Sequence, residues 1–146
     1  HLEDAYCLPR PLAGRIPIHI GGAGPKLTMP LVARHADWWN CPSYAADRLT
    51  ELRPMAGEAR ISMQRVVGLA PSTAARADVV ALTERRFGVW GGLIVGTPDE
   101  VAEQLRADAA GGVELFIVQF SDFGGPETVR LFAEEVIPAV PALGEG

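Results

Sequence analysis

Gly21, Gly22, Ala23 and Gly24, followed by Pro25 and Lys26, are the residues of this chain whose types and spacing best suit chemistry. A β-branched run (Ile16, Ile18, Ile20) stops at the glycines, and an amphipathic stretch follows Pro25. Strand, glycine-rich turn and helix start, in that order, aim backbone N–H groups and the positive end of a helix dipole at one point. That arrangement suits a phosphate or another anion. Glycine lets the main chain approach a ligand closely, and proline suits a first helical position because its missing N–H is not needed there. The spacing fits neither the dinucleotide fingerprint nor a Walker A loop, and no Lys-Ser/Thr pair closes it. A tight βα turn that needs glycine for its geometry alone has the same residues, so both readings stand. Lys26 is either a point charge for a phosphate or a solvated lysine at a helix start.

The other polar residues are scattered. Ser121-Asp122 has no histidine nearby, so a nucleophilic triad is not supported. Cys7 and Cys41 lie far apart, without CxxC or Cys/His metal spacing, and read as isolated thiols in a reducing compartment. No Cys, His and carboxylate grouping has metal-ligand spacing, so no metal is expected. Catalytic residues are left unassigned. Arg65 interrupts an apolar strand face; it either pairs with a carboxylate inside the barrel or reaches solvent where the strand twists. Gln119 and Ser121 end the last strand.

The 146 residues are 48% hydrophobic and 21% charged, with a net charge of −5. This is an ordinary globular composition, and one domain spanning residues 1–146 is the natural prior. The acidic balance and the lack of a Lys/Arg cluster argue against a nucleic-acid partner. No apolar run approaches the roughly 20 residues needed to span a bilayer. The polar, acidic start His1-Leu2-Glu3-Asp4 does not read as a signal peptide. The expected location is the cytoplasm.

The elements that must position these residues alternate between β and α. Residues 1–14 form an extended, Pro-rich lead-in, and strand one covers about 16–20. A helix over about 25–35 contains Pro30, which predicts a kink or a start after Pro30. A second strand (37–41) precedes a polar helix (43–52), a third strand (61–70) and an Ala-rich helix (73–87). Residues 88–96, GVWGGLIVG, read as a flexible apolar loop. Thr97-Pro98-Asp99-Glu100 is a capping box opening a helix that Gly111-Gly112 ends. Strand four (113–120) leads to a last helix from Pro126 to Pro138. Four strands, each followed by a helix, make a parallel α/β arrangement in which ligands sit past the strands' C-terminal ends. Four such units are half of a (β/α)8 barrel, which takes about 250 residues.

The stretch PIHIGGAGPKLTMPLVARHADWWN resembles the strand, glycine turn and helix of the bacterial luciferase-like monooxygenase family. VGTPDEVAEQLRADAAGGVELFIVQF resembles that family's late capped helix and final barrel strand, and ETVRLFAEEVIPAV its terminal helix. Leu8-Pro9-Arg10-Pro11 resembles the approach to the same first strand. The resemblance implies the carboxyl-terminal half, strands five to eight, of a TIM-type (β/α)8 barrel. It implies an oxidoreductase, a monooxygenase or a hydride-transfer enzyme, using FMN or the 8-hydroxy-5-deazaflavin coenzyme on a small organic substrate. The cofactor phosphate would lie on Gly21, Gly22, Ala23, Gly24, Pro25 and Lys26. The chain departs from the family at Trp38, where glycine is usual, and at Pro30.

Five more expectations follow. His19 faces opposite to Ile18 and Ile20, either lining the barrel interior or packing as a hydrogen-bonded histidine. His35 caps a helix C-terminus, and Asp37 binds backbone groups at the helix-to-strand junction. One of Trp38 and Trp39 packs against helices and the other toward the barrel mouth. The family resemblance implies that the loop over residues 88–96 borders a substrate channel; otherwise it packs on a missing half. Two function classes remain: a flavin- or deazaflavin-dependent oxidoreductase seen by its carboxyl-terminal half, and a non-catalytic half-barrel that binds phosphate ligands or self-assembles. A half-barrel leaves strand edges and an apolar face open, so a homo-oligomer or association with a missing amino-terminal half is expected.

Overall fold

In the computed structural model, which describes residue 3 and residues 8–140, the branched runs form one all-parallel sheet. Its strands are β1 (His19–Gly21), β2 (Trp38–Cys41), β3 (Arg60–Leu69), β4 (Leu93–Gly96) and β5 (Leu115–Phe120). The α-helices are α1 (Thr28–His35), α2 (Leu49–Leu52), α3 (Arg76–Phe87), α4 (Pro98–Ala110) and α5 (Pro126–Leu131). Cys7 and most of the start of the lead-in lie outside the described residues.

β3 organises the sheet. Ser62 pairs with Asn40 of β2 and with Leu115 of β5, so these two strands flank β3 on opposite edges. Val66 pairs with Leu93 of β4 and with Gln119 of β5, so β4 lies on the same edge as β2, farther along. With β1 outside β2, the sheet carries the four expected strands in sequence order: half of a TIM-type (β/α)8 barrel. β4 is the addition. Residues 88–96 end in a strand rather than a loop because β3 runs 10 residues and outreaches the 4 of β2. That leaves backbone groups at Val66–Leu69 to pair, and Leu93-Ile94-Val95 supplies them.

Alternation divides each strand between two faces. Trp39, Cys41, Ile61 and Met63 pack with Met29 and Val32 of α1 and with Leu49 and Leu52 of α2 in one core cluster. Val67, Leu69 and Ile94 pack with Val101, Ala102 and Leu105 of α4 and with Val136 in a second. The opposite, inner face carries His19, Trp38, Asn40, Gln64, Val66, Leu115, Ile117 and Gln119. Its C-terminal end is covered by α3, since Thr83 Oγ1 would lie 2.3 Å from a Cβ at Gly68. The two tryptophans divide between the faces as the alternation requires, but Trp38, the first residue of β2, lies at the strand's N-terminal end and not at the barrel mouth. Trp39 is fully buried on the helix side, and Trp38 faces inward.

α1 starts at Thr28, three residues beyond Pro25. A helix opening at Pro25 would bring Pro30 into its interior, where the ring crowds the preceding turn and one N–H bond is lost. Starting at Thr28 puts Pro30 third, among N–H groups that have no intrahelical partner, so no kink is needed. Met29 N–H instead reaches back to the Gly24 carbonyl at 3.0 Å. β1 is also shorter than residues 16–20 and shifted by one, because Pro17 has no donor and the Ile18 N–H is taken by the Asp37 carboxylate at 2.8 Å. The terminal helix is not regular throughout: after α5 the backbone widens into a π turn at Phe132–Val136.

Asp37 does what its position suggested. The Ile18 N–H, then Arg15, hold its carboxyl below the ordinary value of 3.8. A lowered folded pKa gives stability that is complete above the unfolded value and lost as pH falls through the folded one. Protection of the Ile18 amide from exchange, relative to an unstructured amide at the same pH, is therefore expected to fall under acid conditions below pH 3.8, and Asp37→Asn to abolish that change in protection. An unchanged profile in the variant would remove Asp37 as the cause.

Candidate cofactor and ligand site

The Gly21–Lys26 turn lies at the C-terminal end of β1, the end at which barrel folds bind ligands. Gly21, Gly24, Pro25 and Lys26 are exposed and Ala23 is buried. Gly22 has φ +122°, and a Cβ there would lie 3.1 Å from the Thr28 methyl, so the turn demands glycine at this position. Two bonds hold it to β2. Gly22 N–H donates to the Asn40 carbonyl at 3.2 Å, and the Trp39 indole N–H donates to the Gly22 carbonyl at 2.8 Å. Among the described residues, no protein acceptor takes the N–H of Ala23, Gly24 or Lys26. The turn thus has free donors, an exposed cation and a backbone pinned from below. The helix start is displaced to Thr28, so α1 contributes less directly than a helix opening at Pro25 would. The indole bond from Trp39 was not read from sequence; a buried tryptophan on the helix face needs a partner for its N–H, and the adjacent turn offers the carbonyl.

Other singled-out residues separate by face. His19 is exposed on the inner face and stacks on Trp38 at 5.5 Å between centroids, and the Arg60 guanidinium lies 4.1 Å from the same ring. This rung sits at the strands' N-terminal ends, away from the glycine turn. His35 lies in the last turn of α1. Ser121 is buried, with its carbonyl accepting from Arg86 at 2.7 Å. Asp122 accepts from Gly124 N–H at 3.0 Å and from the Thr128 hydroxyl at 2.6 Å, so it shapes its own turn. The Gln119 amide donates to the Phe120 carbonyl at 3.0 Å.

Arg65 is paired, and not inside the barrel. It projects toward the helices and makes a bidentate contact with Asp108 of α4 at 2.8 and 2.6 Å, with a further bond to the Gly92 carbonyl at 3.2 Å. Cys41 is buried nearby, and burial pushes its thiol up to about 11, with Arg65 opposing and Asp108 reinforcing.

The fold is that of an α/β half-barrel of parallel (β/α) units. No family model matches the chain, and no curated protein matches its sequence. Its structure is similar to an F420-dependent secondary alcohol dehydrogenase solved with an F420-acetone adduct (TM-score 0.67, 17% identity, 87% of this chain and 49% of that one). It is also similar to an EDTA monooxygenase from Chelativorans sp. BNC1 (TM-score 0.62, 17% identity, 90% and 46%). A third likeness is to the oxygenating constituent of 3,6-diketocamphane monooxygenase from Pseudomonas putida, a type II Baeyer-Villiger monooxygenase in complex with FMN (TM-score 0.50, 18% identity, 85% and 48%). The chain spans about half the length of each. At these identities the likeness is one of fold. Among the described residues, no helix is long and apolar enough to cross a membrane.

Proposed function

We propose that this chain is the carboxyl-terminal half of a luciferase-like, flavin- or deazaflavin-dependent oxidoreductase or monooxygenase acting on a small organic substrate. The observation that carries this reading is the overlay of the half-barrel on proteins solved with F420 and with FMN, with an open glycine turn at the C-terminal end of its first strand. Gly21, Gly22, Ala23, Gly24, Pro25 and Lys26 would hold the phosphate of FMN or of the deazaflavin coenzyme. The donors without protein partners fit an anion, and Lys26 adds charge. The cofactor, when bound, supplies the redox chemistry; this chain's residues bind its tail and orient it toward the inner face.

FMN titration, followed by its absorbance or fluorescence, tests the site. Saturable binding at tens of micromolar is expected, with Gly22→Ala weakening it about tenfold or more, because a strained turn retracts the N–H groups. Neither flavin binding at those concentrations would favour the second reading, a non-catalytic half-barrel. That reading draws on the open outer edges of β1 and β5 and on exposed Ile16, Ile18, Leu115 and Ile117 beside them. Both readings require a partner for those edges, either a second copy or an amino-terminal half of a longer barrel. Sedimentation is expected to show self-association of the chain when alone; a compact, stable monomer would overturn this.

A further inference from the structure

Past the C-terminal end of β2 lies a cleft of about 320 Å³ that none of the glycine-turn residues lines. Its lining is Pro42, Ser43, Tyr44, Gln64, Val89 and Trp90. We infer that this cleft is a binding site for a flat aromatic small molecule carrying one hydrogen-bonding group, such as a hydroxyarene. The inference rests on the oxidoreductase reading only in taking that molecule to be of the substrate's class.

Three features show that the cleft is built. Its two walls come from segments that the backbone locks together. Gly92 has φ +62°, and a Cβ there would overlap the Ser43 carbonyl oxygen at 1.9 Å, so only glycine lets the Val89–Trp90 segment lie against Ser43–Tyr44. Second, Trp90 is held in place. Its ring meets Phe87 edge-on at 5.3 Å, and Phe87 meets Phe123 at 5.8 Å. Phe123 has φ 65° and lies beneath the Arg86 guanidinium, 4.9 Å from its centroid. Third, the lining has the composition of a small-molecule pocket: two aromatic side chains and apolar surface, with Ser43, Tyr44 and Gln64 as its polar side chains. The volume suits one or two fused rings. Tyr44 and Trp90 are 60% and 42% exposed, so neither is committed to the core.

The test titrates the chain with 2-naphthol and with its fully saturated analogue, decahydro-2-naphthol, by calorimetry. The aromatic alcohol is expected to bind roughly threefold to tenfold more tightly, the gain of ring stacking. Trp90→Ala should remove that preference while leaving the thermal midpoint nearly unchanged, since the side chain is half-exposed. Gln64→Leu should weaken 2-naphthol by a similar factor and leave naphthalene unaffected, because only the hydroxyl partner is lost. Equal binding of the aromatic and saturated alcohols, or a Trp90→Ala preference like that of the unaltered chain, would overturn the inference. Gly22→Ala separates the two sites. Naphthol binding that survives in this variant while FMN binding falls places them apart, whereas a chain that binds FMN and no naphthol refutes the cleft alone.

Discussion

Asp108→Ala is expected to destabilise the fold by about 3–5 kcal/mol, the usual cost of leaving one member of a buried ion pair without its partner. The Arg65 and Asp108 side chains are 7% and 8% exposed, and their bidentate geometry joins β3 to α4 at the seam between the two core clusters. Removing the carboxylate strands a guanidinium that cannot shed its proton. Replacing both partners with apolar residues, as Arg65→Met with Asp108→Leu, should recover most of the loss, because no uncompensated charge then remains. Urea denaturation measures both variants, with midpoint shifts at constant slope. A second readout comes from Cys41. Asp108→Ala should also speed alkylation of the fully buried Cys41, because a less stable fold opens more often, and the double replacement should slow it again. A single substitution costing under about 1 kcal/mol would mean that the pair is screened like a surface one.

Trp39→Ala should cost a similar amount, about 3–5 kcal/mol, since a fully buried indole between α1 and the sheet would leave a cavity. Trp39→Phe carries the functional information. It keeps most of the packing and removes the 2.8 Å bond to the Gly22 carbonyl, a neutral hydrogen bond worth about 1 kcal/mol that leaves a carbonyl to be satisfied elsewhere. Loss of that tether lets the turn move, so FMN affinity is expected to fall by more than the stability change alone accounts for. Thermal unfolding and FMN titration of the two variants separate packing from positioning. Full FMN affinity in Trp39→Phe would show that the tether does not shape the site.

Elements with a strong local signal were legible. Thr97-Pro98 opens α4 where the capping box put it, with Glu100 accepting the Thr97 N–H at 2.9 Å. The four principal strands follow from branched runs bounded by glycine and proline, and their parallel order follows from the helices between them. The opposite faces of Trp38 and Trp39 follow from the period of a strand. The start of α1 was misplaced because two prolines compete to open it. Pro25 satisfies a local rule, but Pro30 can be accommodated only if the helix begins later. β4 was missed because its reason is remote: it exists to satisfy an edge of β3 that β2 is too short to cover.

At the candidate site the division is similar. The glycine turn is a local pattern, and residue types alone placed it at the end of the first strand. Its tether to Trp39, the pairing of Arg65 with Asp108 43 residues away, and the meeting of Tyr44 with Trp90 depend on which elements become neighbours.

Periodicity, caps and turns act over a few residues, and so the alternation of strands and helices, the parallel sheet and the exposed glycine loop were all written in the chain. Long-range backbone pairing and the burial of charge are settled by the energy of the whole assembly. Only the folded molecule could place Arg65 among the helices, give β3 two partners along one edge, and carry α3 onto the inner face, because each satisfies a group whose partner is distant in sequence.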